Sequence, residues 1–186
     1  MKATPRRTGW PDEPLILVPE LRYPLAAVGR LAEPRRHAER CGQITTLIGP
    51  AGTGKSHLAR HGVRSVLQKT PRIRWAWHSA IEWLAQLQDA AAQQSLGEFL
   101  EACGQLQVVV CEDFDQAWTG TASELWLEWF EALRTHDARV LITLRQPPQE
   151  LDGIPSRLLS RFRGGLTVRL GTWSEKSRLA FLKQSI

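Results

Sequence analysis

Eight residues constrain this chain more than any others: Gly49-Pro50-Ala51-Gly52-Thr53-Gly54-Lys55-Ser56, between an apolar, β-favouring run over 44–48 and a helix-patterned stretch over 55–67. They fit the phosphate-loop pattern G-x-x-x-x-G-K-[ST] in the strand-to-helix context that gives it physical meaning. Glycines let backbone N–H groups converge on phosphate oxygens, and the helix start adds the positive end of its dipole. In this pattern Lys55 reaches the β- and γ-phosphates of a nucleoside triphosphate, and Ser56 ligates magnesium. Gly49, Pro50, Ala51, Gly52, Thr53, Gly54, Lys55 and Ser56 are therefore the expected binding residues for ATP or ADP with Mg2+, and His57 follows them at the helix N-terminus.

The 186 residues suffice for one domain with a sheet covered by helices on both faces. Residues 1–20, rich in proline and charge, read as an N-terminal arm that becomes extended near Leu15, and residues 21–186 as the nucleotide-binding domain. Apolar periodicity predicts strands over 44–48, 73–77, 107–111, 139–144 and 166–170. Helices are expected over 23–40, 55–67, 95–103, 122–136, 155–161 and 175–183. A further helix starts after Ser79, which caps it with Glu82 completing a capping box; Ile81, Leu84, Leu87 and Ala91 mark its expected apolar face. Alternation of β and α without a hairpin signal gives an α/β fold with a five-stranded parallel sheet.

The formal charge of +5 hides a segregation. Residues 79–131 carry ten acidic groups and no Lys or Arg, whereas 41–78 carry six basic and no acidic groups, and 134–186 carry ten basic against four acidic. Such blocks suit solvated faces, or opposite-sign faces that meet. No apolar run has membrane-spanning length and no signal peptide is evident, which points to a cytoplasmic protein with no membrane contact. Cys41, Cys103 and Cys111 lack metal or disulfide spacing and read as reduced thiols, Cys111 buried in a strand. Among eight tryptophans, Trp75, Trp77, Trp83, Trp126 and Trp129 fall on apolar periodicities and are expected in the core, leaving Trp10 and Trp118 as the partner-facing candidates.

Val108-Val109-Val110-Cys111-Glu112-Asp113 is an apolar strand ending in two acids, some sixty residues after the loop. Open α/β sheets bind ligands at that edge. On this pattern Glu112 joins Ser56 in the magnesium shell, while Asp113, beside the metal, polarises the attacking water. The strand over 140–145 should lie between the other two, so that Thr143 or Arg145 points at the γ-phosphate. In Ser156-Arg157-Leu158-Leu159-Ser160-Arg161-Phe162, Arg157 and Arg161 share one helical face and suit phosphate contact from a neighbouring subunit.

The order of loop, acidic strand, sensing strand and arginine box resembles the AAA+ ATPases, and the details resemble the bacterial replication initiator DnaA family. "LITLRQPPQEL" followed by "SRLLSRFRGGLTVRL" is similar to that family's sensor strand, Pro-Pro turn and arginine box, and "VPELRYPLAAVGRLAE" to its first helix. The resemblance covers residues 15–184 and implies an AAA+ P-loop core, ATP and magnesium binding, head-to-tail self-association with Arg161 as an arginine finger, and work with replication proteins. Glu112 stands where the family usually has aspartate, which implies slow or altered ATP hydrolysis, and Arg145 stands at a sensor position usually acidic or amide. The family's helical lid and helix-turn-helix domain are not recognised in these residues. The helical pair before the acidic strand, a single-strand DNA grip in the initiator, carries Glu82, Asp89, Glu98 and Glu101 and no base, so DNA is not expected on that face. Two alternatives stand beside an initiator-type switch: a non-hydrolysing adaptor that docks on the initiator or a helicase loader, and a DNA-binding helicase-loader or transposition-helper ATPase.

Overall fold

Short apolar runs that must bury both faces build the centre of this molecule. In a computed structural model, which describes residues 18–32 and 44–184, β1 (Ile44–Ile48), β3 (Val108–Glu112) and β4 (Arg139–Leu144) are buried over almost their whole length. Such continuous burial is the mark of inner parallel strands. β2 (Trp75–Ser79) and β5 (Leu166–Arg169) are the edges, and every second side chain of β5 is exposed. All five strands pair in parallel in the order β2-β3-β4-β1-β5. β4 therefore lies between the loop strand β1 and the acidic strand β3, as the sequence predicts.

Helices cover both faces. On one face lie α1 (Arg22–Gly29), flanked by 3-10 turns at Pro19–Leu21 and Arg30–Ala32, and α2 (Lys55–Lys69), packed on Leu47, Val108, Val110 and Leu141. Gly62 of α2 meets α1 so closely that a Cβ there would sit 2.0 Å from Val28. The other face carries α3 (Ala80–Ala92), α4 (Leu96–Gly104), α5 (Phe114–Ala117), α6 (Ser123–Thr135) and α7 (Ser156–Arg163). Its core is aromatic: Trp83, Trp126, Trp129, Phe114, Phe130 and Phe162 stack edge-on or tilted, with centroids 4.8 to 6.0 Å apart where they touch. The last helix, α8 (Glu175–Gln184), is tied to the start of the domain through Glu20, which accepts hydrogen bonds from Ser174 N–H and Ser177 Oγ.

Several sequence expectations shift. The helix over 23–40 is observed only as α1 and its flanking turns; residues 33–40 lie outside the described residues, as do Trp10, Cys41 and nearly all of the arm. The second strand begins at Trp75, not 73, and the short α5 was not anticipated. The Ser79–Glu82 capping box forms, but the apolar face of α3 is rotated by one residue. Ala80, Trp83, Leu87 and Ala90 face inward while Ile81 is 56% exposed, because the bulk of Trp83 decides which stripe enters the core. Trp118 is half-buried: its ring packs on Phe114 and its Nε1 donates to Asp152 O at 2.8 Å.

Candidate nucleotide site

The phosphate loop runs from the end of β1 into α2 and owes its shape to its glycines. Gly52 and Gly54 adopt φ of 79° and 90°, the left-handed region in which side chains are strained. Gly49 is required for a different reason: a Cβ there would lie 2.6 Å from Leu170 O. Thr53 Oγ1 donates to Pro50 O at 2.8 Å and closes the turn. Lys55 is buried beneath the loop, its ammonium donating to Gly49 O at 2.6 Å and to Pro50 O at 2.9 Å. Burial pushes its pKa down, against the pull of Asp113 and Asp115. Ser56 and His57 follow, half-buried, in the first turn of α2.

The acidic strand delivers its two carboxylates to the same edge. Trp77 Nε1, from the neighbouring strand, donates to Glu112 Oε2 at 2.7 Å. Glu112 Oε1 is buried without a hydrogen-bond partner among the described residues. One oxygen is thus anchored and the other left for a cation or its water, which fits a magnesium shell shared with Ser56. Among the described residues no three His, Cys, Asp or Glu form a metal cage; magnesium commonly binds through one or two carboxylates and the phosphates of its nucleotide. Asp113 takes a left-handed backbone, φ 51° and ψ 51°, and its N–H donates to the fully buried Thr143 Oγ1 at 2.8 Å. Thr143 therefore fixes the turn that aims Asp113. Arg145 pairs with Asp115, Nε to Oδ2 at 2.9 Å.

The arginine box lies elsewhere. Arg161 pairs with Glu131 of α6, whose second oxygen accepts from Arg134 Nε at 2.9 Å. Burial pulls the Glu131 carboxyl up, but the hydrogen bond from Arg134 and the charge of Arg161 outweigh it and hold the group below its ordinary value. Arg161 and Arg134 line a cavity of about 240 Å³ with Ile44, Phe130 and Val140. Ile44 begins β1 and Gly49 follows its end, so about 16 Å of strand separates this cavity from the phosphate loop. Gly49 through Ser56, Glu112 and Asp113 are brought together, whereas Arg161 is not. Arg157 is one turn earlier on α7 and exposed.

A family model described as the bacterial DnaA ATPase domain matches residues 25–169. The chain belongs to that family. Among curated relatives, the chromosomal replication initiator protein DnaA of Ralstonia nicotianae is 31% identical over 138 residues, 73% of this chain and 26% of that protein. The DnaA of Paraburkholderia phymatum is 30% identical over the same share. The chain thus spans about a quarter of the length of these DnaA proteins. Among solved structures, AMPPCP-bound DnaA from Aquifex aeolicus superposes with a TM-score of 0.77 at 21% identity, over 92% of this chain and 52% of the other. The DnaC helicase loader superposes with a TM-score of 0.67 at 14% identity, over 86% of this chain and 95% of the loader. These likenesses establish the AAA+ fold, a five-stranded parallel sheet with helices on both faces. Among the described residues no helix is long and apolar enough to cross a membrane.

Trp77, Asp115, Thr143 and Glu131 hold the candidate site residues in place; of these the sequence singled out Trp77, for the core, and Thr143, for a different role. Asp115, two residues past Asp113, carried a signal once β4 was placed beside β3.

Proposed function

We propose that this DnaA-family domain binds ATP with magnesium at the C-terminal edge of its sheet and acts as a nucleotide switch in the initiation or regulation of DNA replication. The convergence of a glycine-shaped loop, a buried Lys55 and the Glu112–Asp113 pair on one edge carries this reading. Loop amides and Lys55 would hold the phosphates, and Ser56 and Glu112 the magnesium. Bound magnesium neutralises charge on the phosphates. Asp113 would orient the attacking water and take its proton. In this reading turnover is slow, because glutamate stands at position 112 where the family usually has aspartate.

Arg161, with Arg157 beside it, serves the nucleotide of a neighbouring copy in head-to-tail association, since its place at the far edge keeps it from its own loop. Replication proteins are the expected partners. DNA, if bound, meets surfaces other than α3 and α4, which offer a phosphate backbone no cation. A second reading, a non-hydrolysing adaptor with the same nucleotide site, is favoured by Arg145 standing at the sensor position, already paired with Asp115. Titration with a fluorescent ATP analogue and magnesium tests the shared claim: Lys55→Ala should weaken binding about a hundredfold, and equal affinities would contradict it. Loss of turnover in Asp113→Ala separates switch from adaptor; absence of turnover in the wild-type chain favours the adaptor.

A further inference from the structure

Trp77 and Glu112 stand on neighbouring parallel strands, β2 and β3, whose register sets Trp77 opposite Val110 and Ser79 opposite Glu112. Side chains two apart on a strand share a face, so Trp77, Val110 and Glu112 all lie on the side covered by α2. The indole therefore meets the carboxylate on the diagonal, within reach of long side chains. Its Nε1 donates to Oε2 at 2.7 Å, a short, charge-assisted contact. Glu112 Oε1 is buried and has no hydrogen-bond partner among the described residues. Burial lowers the Lys55 pKa and Glu112 is among the charges that oppose the shift, so this carboxylate lies within electrostatic reach of the loop lysine.

An indole N–H can only donate. It occupies one oxygen of Glu112 without bringing a charge, and leaves the other oxygen buried at a cost that an approaching cation would remove. A carboxylate held in this way offers a metal one oxygen only. Magnesium, small and octahedral, accepts single carboxylate oxygens together with water and the phosphates of a nucleotide, whereas calcium is larger, takes more ligands and also chelates both oxygens of one carboxylate. We propose that Trp77 is a positioning residue that restricts Glu112 to one-oxygen ligation and thereby makes the nucleotide site select magnesium over calcium. This selectivity rests on the nucleotide reading above and adds to it a reason for the choice of cation. It also gives a use to glutamate at position 112, since an aspartate, one methylene shorter, would hold its carboxylate further from the indole.

The test measures the affinity of the full chain for a fluorescent ATP analogue in EDTA, in magnesium and in calcium, with thermal unfolding as a control for folding. In the wild type, magnesium should tighten binding about fivefold more than calcium does. Trp77→Phe keeps a ring and removes the donor. It should cut the magnesium effect about fivefold and leave the calcium effect within about twofold, so that the preference disappears while affinity in EDTA is unchanged. Glu112→Gln, which keeps an acceptor for the indole and loses the charge, should weaken both metal effects. A merely structural Trp77 would lower the unfolding temperature and all three affinities together. A magnesium preference that survives Trp77→Phe, a parallel fall of all three affinities, or a wild-type chain whose binding ignores the metal overturns the proposal while the nucleotide site stands. In the 15N-labelled wild type, the Trp77 Nε1–H should stay protected from solvent exchange after magnesium and ATP are added; its release overturns the proposal even where Trp77→Phe fails to fold. If the wild-type chain binds the analogue in none of the three buffers, both readings fall.

Discussion

The two ends of the β-sheet are built on opposite principles. At the C-terminal ends of the strands, groups from separate segments converge: Lys55 from the start of α2, Glu112 from β3 and Asp113 just after it, Thr143 from β4 and Asp115 from α5. They are buried or pinned, and one oxygen, Glu112 Oε1, is left without a partner among the described residues. At the N-terminal ends, Arg161, Arg134 and Glu131 satisfy one another around a small apolar cavity and face outward. A converging end can hold a ligand by itself; an end whose charges are paired and turned outward can act only on something brought to it. The aromatic core joins them: Phe162 follows Arg161, Phe114 follows Asp113, and their ring centroids lie 5.6 Å apart.

The largest effect should come from breaking that junction. Phe162 is 1% exposed and touches both Phe114 and Phe130. Phe162→Ala should cost about 3–5 kcal/mol in urea unfolding, and a loss below about 1 kcal/mol would mean the two ends are not packed through one core. Gly49→Ala comes next. Its Cβ would press on Leu170 O and Thr53 Oγ1, so we expect a loss of about 1–3 kcal/mol together with weakened ATP binding. Arg161→Ala sharpens the contrast between the ends: nucleotide affinity of the single chain should stay within about twofold, while ATP-dependent self-association in sedimentation velocity should be lost. Affinity falling as far as in Lys55→Ala would place Arg161 at its own loop.

The smallest effect concerns the tether between Glu20 and α8. Hydrogen bonds from Ser177 and Ser174 hold the Glu20 carboxyl at about 2, against 4.5 for the free group. A lowered carboxylate stabilises the fold at pH above its unfolded value and loses that contribution as pH falls from about 4.5 towards 2. The unfolding temperatures of wild type and Glu20→Gln should therefore differ above pH 5 and converge by pH 2. A difference that persists at pH 2 would assign the tether to shape alone.

Local signals in the sequence carried the fold well. The phosphate loop, the capping box at Ser79 and the run over 139–144 each encode their structure within a few residues, and the strand order follows once β4 must reach the nucleotide edge. The phase of α3 did not, because alanines at 80 and 90 give no hydropathic contrast while Ile81 invites burial. The pairs that tune the candidate site were also illegible. Arg145 with Asp115 and Arg161 with Glu131 each join residues thirty positions apart; the arginines stand in readable motifs, but neither acidic partner is distinguishable from a surface charge until the fold brings it alongside.

The central claim is that the loop between β1 and α2 receives a triphosphate. Amide NMR of the 15N-labelled chain, titrated with ATP in magnesium buffer, tests it most directly. Saturable shifts at Gly52, Thr53, Gly54, Lys55 and Ser56, with the exposed face of α3 and α4 unmoved, are expected; loop amides that stay fixed at saturating ATP would contradict the account.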